Sequence, residues 1–267
     1  MKRIVQQAAF RAQDILVRPL IHREVRRLRQ IENECAKKIA QSVEETFSTK
    51  LTPEEAMHIE SIERIRTSLL RSDERILMTD YGAGAKNGAE NKTRIVGDVA
   101  VQSSKPFRWA LLLFKLIRTL KPNTCLELGT CLGISGMYQA AALMLNGKGT
   151  LVTMEGAESY ASIAKKNFSE SGYKNAEVVV GRFRDTLDAT LNRMPSIDYA
   201  FIDGHHDGNA TIGYFNTLSP HLSKNAVVLF DDIHWSTGMT RAWTTLCNDQ
   251  RTLLHSDLRQ LGIIITQ

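Results

Sequence analysis

Three carboxylates stand at the ends of two short apolar runs. Tyr199-Ala200-Phe201-Ile202 leads into Asp203-Gly204-His205-His206, and Val227-Val228-Leu229-Phe230 leads into Asp231-Asp232-Ile233-His234. If the runs are neighbouring parallel strands, about 4.8 Å apart, their carboxyl ends lie on the edge where open α/β sheets bind ligands. Asp203, Asp231 and Asp232 then converge. Carboxylates brought together without a cation repel and raise one another's pKa, so a hard divalent ion with oxygen ligands is the natural neutraliser. Magnesium suits the group better than zinc, because no cysteine or paired-histidine spacing is offered. Such an ion lowers the pKa of a bound hydroxyl and fixes its orientation, with His206 or His205 beside it to take the proton. Plainer uses stay open: Asp203 as a cap on the next helix, Asp231 and Asp232 as caps that orient the next segment, the histidines as ordinary polar residues.

A second constellation lies upstream. The run Thr124 to Leu128 ends in Leu126-Glu127-Leu128-Gly129-Thr130-Cys131-Leu132-Gly133 and passes at once into a helical pattern. Glycines at a strand-to-helix turn let the backbone approach a ligand closely. Cys131 stands where the dinucleotide fingerprint GxGxxG has its second glycine, which weakens a nicotinamide-cofactor reading. The pattern ExGxxxG, with Glu127 three residues before the second half of the turn, suits a cationic ligand that carries an amino group. The next apolar run closes with Glu155, placed where an acid accepts both hydrogen bonds of a ribose diol. Gly129 and Gly133 also serve a tight turn alone, and Glu155 a helix cap, but strand, loop, helix, strand and acid in this order point jointly to a ligand.

The elements that position these groups follow from periodicity. Apolar runs at Thr124 to Leu128, Thr150 to Met154, Glu177 to Val180, Ile197 to Ile202 and Ala226 to Phe230 alternate with helical patterns. Buried runs of that kind indicate parallel strands in a doubly wound α/β sheet. Thr252 to His255 and Gly262 to Thr266 add the last strands. Upstream, no glycine occurs before Gly82, and Leu16, Leu20, Val25, Leu28 and Ile31 make one greasy face of a helix. Thr52-Pro53-Glu54-Glu55 starts a second helix that runs to about Leu70, with Thr52 as N-cap and Pro53 at the first position. Residues 79 to 91 read as a flexible loop. A helix with Trp109, Leu112, Leu113, Leu116 and Leu120 follows from Pro106. The chain thus divides into a helical N-terminal extension with a lid or linker, 1–105, and a sheet unit, 106–267.

Composition bounds the rest. A hydrophobic share of 43% with 24% charged residues in 267 excludes general disorder. The net charge of +5 is concentrated in residues 1 to 29, where eight bases face two acids, so no global basic surface argues for nucleic acid. That basic helix suits a membrane surface or a partner, and its apolar face would pair two subunits as a homodimer. The longest apolar runs fall far short of a transmembrane span, which needs roughly 20 residues. Four scattered cysteines fit neither a disulfide framework nor a zinc knuckle, so a cytoplasmic location is expected.

On Glu127 to Gly133, Glu155 and the strand-end acids, the sequence resembles the class I S-adenosylmethionine-dependent methyltransferases over about Pro106 to Gln267. The resemblance implies a Rossmann-like seven-stranded sheet, with Gly262 to Thr266 as the antiparallel seventh strand. It further implies that Glu127, Gly129, Thr130 and Gly133 hold the methionine part of the cofactor, that Glu155 holds the ribose and that Asp203 borders the cofactor. Val180 to Asp185 would contact the adenine, with Phe183 as its wall. The acids look like those of metal-dependent O-methyltransferases of the catechol and macrolide-sugar types, which match Asp203, Asp231 and Asp232. In the sugar type a histidine three residues after the first acid is the base, and here that is His206. The catechol type usually ends in Asn, where this chain has Asp232. The expectation is methyl transfer from S-adenosylmethionine to a hydroxyl of a small molecule, assisted by magnesium. Alternatives are a metal-independent N- or carboxyl-methyltransferase, a dehydrogenase and a nonenzymatic surface-binding protein. Base-methylating enzymes are disfavoured, because no two prolines are adjacent. Asp80 to Gly84, with Arg94, Ser103 and Ser104, would form a lid or a plain linker, and Trp235 and Trp243 an acceptor pocket or core.

Overall fold

The computed structural model describes residues 17–80 and 90–267. The first sixteen residues and the Tyr81 to Gly84 part of the expected lid lie outside them. Seven strands form one sheet: β3 (Thr124–Leu128), β4 (Thr150–Glu155), β5 (Ala176–Val180), β6 (Ile197–Ile202), β7 (Leu222–Asp231), β8 (Thr252–Asp257) and β9 (Leu261–Thr266). Their order is β5-β4-β3-β6-β7-β9-β8. The first five are parallel, and β9 enters antiparallel to β7 with β8 antiparallel beside it. The chain order therefore reverses direction outward from β3, and the point between β3 and β6 is the switch at which open sheets bind ligands.

Alternation along the central strands sends side chains into two separate cores. Cys125, Tyr199, Phe201, Val227, Leu229, Ile263 and Ile265 face one side, while Leu126, Leu128, Ala200, Ile202, Val228, Phe230 and Ile264 face the other. Both faces are covered, which is why these strands read as continuous apolar runs. The second face is closed by α8 (Phe183–Arg193), α9 (Gly208–Leu218) and α10 (Thr237–Cys247), whose Leu187, Phe215 and Trp243 are buried there. Trp243 is therefore core.

The first face is deeper. Behind it lie α5 (Phe107–Leu120), α6 (Ile134–Leu145) and α7 (Glu158–Glu170), and behind these a helix over residues 17–30, which we call α1, with α2 (Glu34–Phe47) and α3 (Pro53–Arg71). From Trp109 to Ile117 every residue of α5 is buried, because α2 packs on one side and α6 on the other. Ile21, Leu28, Ile39 and Ile62 share one core with the sheet. The expected boundary after residue 105 thus falls within a continuous apolar interior. Helix α3 begins as the sequence suggests, and adds a capping box in which Glu55 Oε2 accepts from the Thr52 N–H at 3.1 Å. No helix among the described residues is long and apolar enough to cross a membrane.

Three elements were not expected. A hairpin of β1 (Arg75–Asp80) and β2 (Glu90–Ile95) pairs antiparallel, and a short helix, α4 (Val96–Ser103), follows. The hairpin strands pair only with each other and leave Leu77 64% exposed, so they carry no alternating pattern to read.

Candidate active site

The glycine loop, the strand-end acids and the N-terminal segment meet in one cleft of about 800 Å³ at the carboxyl edge of the sheet. That volume is in the upper part of the range of small-molecule sites. Gly129 ends β3 with φ +112°, and a Cβ there would stand 2.1 Å from the Asp203 carbonyl oxygen. Only glycine lets the ends of β3 and β6 come this close. Gly133 (φ +89°) turns the chain into α6, and its Cβ would press on Ala164 at 3.2 Å. Cys131, between them, also has positive φ, and its N–H donates to Glu155 Oε2 at 2.8 Å. Glu155 Oε1 accepts from the Ala157 N–H at 2.8 Å. Burial pushes the Glu155 carboxyl up against the pull of these backbone donors and the Gly156 N–H.

Glu127 does not reach the cleft. It is fully buried beneath the loop, where Gln139 Nε2 donates to its Oε1 at 2.7 Å and Thr153 Oγ1 to its Oε2 at 2.5 Å. Burial raises its pKa to about 7, despite hydrogen bonds from Thr153, Ser135 and Gln139 that favour the charged form. Its place is that of a loop support; Thr130, Gly129, Glu155 and Phe183 line the cleft. Phe183 opens α8 and meets Tyr214 edge to face, ring centres 5.5 Å apart. Tyr214, which sequence reasoning missed, also lines the cleft and lies 3.0 Å from His205 Nδ1.

At the ends of β6 and β7, one ligating atom each from Asp203, His206 and Asp231 lie within 4.8 Å of one another. Asp232 stands one step out, its Oδ2 3.9 Å from His206 Nδ1, while His206 Nε2 is 3.8 Å from Asp203 Oδ1. The tight group therefore takes His206 where the sequence expectation had Asp232 as third ligand. The backbone explains the exchange: Asp232 adopts φ +51°, which turns it out of line with β7, and His205 and His206 adopt φ +72° and +43°. With Cys131, these are four of the eight described non-glycine residues at positive φ, and all four line the cleft. Such conformations concentrate at functional sites, where surrounding structure holds them.

A further residue joins the acids. Lys105, in the loop between α4 and α5, is 6% exposed and its ammonium pairs with Asp231 Oδ2 and, at 3.2 Å, with Asp203 Oδ2. Burial lowers the pKa of such a lysine, but the charges of Asp203, Asp231 and Asp232 outweigh it, so the ammonium is held above its ordinary value. Of the coupled acids, Asp203 is pushed up by burial and by the charge of Asp231. Asp231 is held down: the Lys105 ammonium and a hydrogen bond shared with Asp203 outweigh its own burial. The sequence names Ser103 and Ser104 as lid residues and gives no periodic or motif signal for the lysine beside them. Trp235, 74% exposed, borders the same cleft, whereas His234 turns away to Asp257 at 2.8 Å.

Comparison with known proteins bears on the domain and the fold. Residues 126–233, which include the glycine loop and the acids, match the family model of a methyltransferase domain. No curated protein matches the chain. An S-adenosylhomocysteine complex of the O-methyltransferase from Bacillus cereus superposes with TM-score 0.57 at 18% identity, covering 79% of this chain and 91% of that one. The S-adenosylhomocysteine-bound methyltransferase PaMTH1 from Podospora anserina gives TM-score 0.57 at 14% identity over 89% and 98%. The O-methyltransferase TomG from Streptomyces achromogenes, of tomaymycin synthesis and in complex with S-adenosylmethionine, gives 0.53 at 23% over 62% and 82%. At these identities the likeness shows the fold, that of the class I S-adenosylmethionine-dependent methyltransferases, and residues 126–233 within it carry the match to a methyltransferase domain.

Proposed function

We propose that the chain moves the methyl group of S-adenosylmethionine to a hydroxyl of a small molecule, with a hard divalent cation, magnesium by preference, at the strand-end acids. The observation that carries this reading is the position of Asp203, His206 and Asp231, three converging ligand atoms in the same cleft as the glycine loop. The donor set fits such an ion. Asp231 is 3% exposed, and its Oδ1 has no hydrogen-bond partner among the described residues, an acceptor left over in a nearly dry site. Three aspartates and one lysine leave a net negative charge that a divalent ion would balance.

A bound cation of this kind supplies charge that lowers the pKa of an acceptor hydroxyl and fixes its direction. The chain's own residues do the remainder. Gly129 and Thr130 give a close backbone approach for the methionine part, Glu155 presents carboxylate oxygens at the ribose position, and Phe183 forms the wall for the adenine. Holding donor and acceptor in line supplies much of the acceleration of a methyl transfer, since the sulfonium already is a good leaving group. His206, 3.8 Å from Asp203 Oδ1 and 3.9 Å from Asp232 Oδ2, would be a ligand of the ion or, where the aspartates alone hold it, the base that accepts the proton the hydroxyl releases.

Calorimetry with S-adenosylhomocysteine, with and without magnesium, tests the donor half: binding is expected, and its absence in both conditions overturns the reading. Transfer to a panel of small hydroxyl compounds after dialysis against EDTA tests the cation, with activity expected to fall at least tenfold and to return with magnesium. A metal-independent transfer is favoured by one observation, the Lys105 ammonium already seated on the acid pair. Full activity in chelator would select it.

A further inference from the structure

Lys105 is anchored in a manner that a divalent ion must contend with. Its ammonium lies over the Phe201 ring, with Nζ 5.6 Å from the ring centre, and reaches both Asp203 and Asp231. These are two of the three residues whose ligating atoms converge. The lysine comes from outside the matched domain, on the loop that ends in Pro106 at the start of α5, and it is itself 95% buried at the side chain. An ammonium and a divalent ion on the same two carboxylates repel, and the burial of the lysine head and of Asp231 limits how far solvent screens that repulsion.

We propose that Lys105 is a resident counter-ion that holds the Asp203–Asp231 pair together when no metal is bound and competes with divalent cations for it, so that it sets the metal affinity of the site. The proposal rests on the metal-assisted reading above. In the metal-free protein, the ammonium spares the two buried acids their mutual repulsion. When a divalent ion enters, Lys105 must give up its contact with at least one of them. Asp231 Oδ1 has no hydrogen-bond partner among the described residues, and His206 brings a ring nitrogen to the same group, so both are available to the ion. The lysine therefore acts on the reaction through the ion and the acids, as a positioning residue.

The test is manganese binding to the full chain by calorimetry, for wild type, Lys105→Met, Lys105→Gln and Lys105→Arg, with thermal melts in EDTA alongside. Lys105→Met keeps an apolar side chain of similar length beside Phe201, and Lys105→Gln keeps a hydrogen-bond donor, so that one neutral variant can be measured if the other fails to fold. Both neutral variants are expected to bind manganese at least tenfold more tightly than wild type, to melt at lower temperature in EDTA and to recover that loss when manganese is added. Lys105→Arg, which keeps the charge, is expected to bind no more tightly than wild type. Equal or weaker binding in the neutral variants overturns the competition while leaving the metal-assisted reading intact. No manganese binding in any variant overturns both.

Discussion

Glu127 shows what burial does to a side chain whose spacing suggests contact with a ligand. Its carboxyl is enclosed by Gln139, Thr153 and Ser135, and burial lifts its pKa to about 7. A carboxyl whose folded value is raised contributes stability below about pH 4.5, its ordinary value, and that contribution is lost as pH rises through 7. Glu127→Gln, which cannot ionise, is therefore expected to be more stable than wild type at pH 8, by on the order of 3 kcal/mol, and to lose that advantage by pH 5. Thermal melts at the two pH values measure it; a constant difference would show that the carboxyl is not neutral in the fold. At this scale the sequence was informative about residue types and less so about depth. Glu127, Gly129, Glu155, Phe183 and Asp203 all gather around one loop, but a motif cannot tell whether an acid points into the cleft or props it from beneath. Lys105 had no signal at all, because a lone lysine before a proline has no period and no partner until the chain folds.

Among the elements, the five parallel strands were legible within a residue or two, apart from the longer start of β7, because burial on both faces writes uninterrupted apolar runs. The hairpin β1–β2 was not, since it pairs only with itself and its Ile76-Leu77-Met78 run does not alternate in polarity, although Ile76 and Met78 pack on the core while Leu77 faces out. The loop between β3 and α6 is the element on which the site depends most. Gly129→Ala places a methyl against the Asp203 carbonyl at 2.1 Å and imposes φ +112° on a residue with a Cβ. The expected outcome is that β3 and β6 separate at their ends and S-adenosylhomocysteine affinity falls at least tenfold in calorimetry. Gly213→Ala, on α9 with open space around it, is the control and is expected to bind as wild type does. Equal loss in both would mean that the β3–β6 approach is not what the ligand senses.

Taken whole, the molecule has two apolar cores, of which the larger runs from Ile21 to Ile265 on one face of the sheet, with an ionic knot at its N-terminal side. Lys115, buried in α5, donates to Glu55 Oε2 at 2.7 Å and lies 3.2 Å from Glu45, and Arg118 Nε reaches Glu55 Oε1 at 3.1 Å. Burial alone would raise the Glu55 carboxyl, but Lys115, the Thr52 N–H and Arg118 together hold it below its ordinary value. Removing one partner of a buried pair strands the other, at a cost of about 3–5 kcal/mol. Glu55→Ala, which leaves Lys115 only Glu45, is accordingly expected to lower the unfolding free energy in urea by up to that amount, seen as a lower midpoint with an unchanged slope. A change of less than about 1 kcal/mol, the usual worth of a surface pair, would place Lys115 in contact with water after all.

Helix α5 joins that knot to the catalytic edge. Its fourteen residues make a rod about 21 Å long at 1.5 Å per residue, clamped at Lys115 and Arg118 toward one end. Pro106, with its ring-fixed φ of −57°, attaches the other end directly to Lys105. One helix thus carries the ionic knot of the N-terminal helices toward one end and, through Pro106, the lysine of the acid pair at the other, so the N-terminal extension and the strand-end acids share a single rigid support.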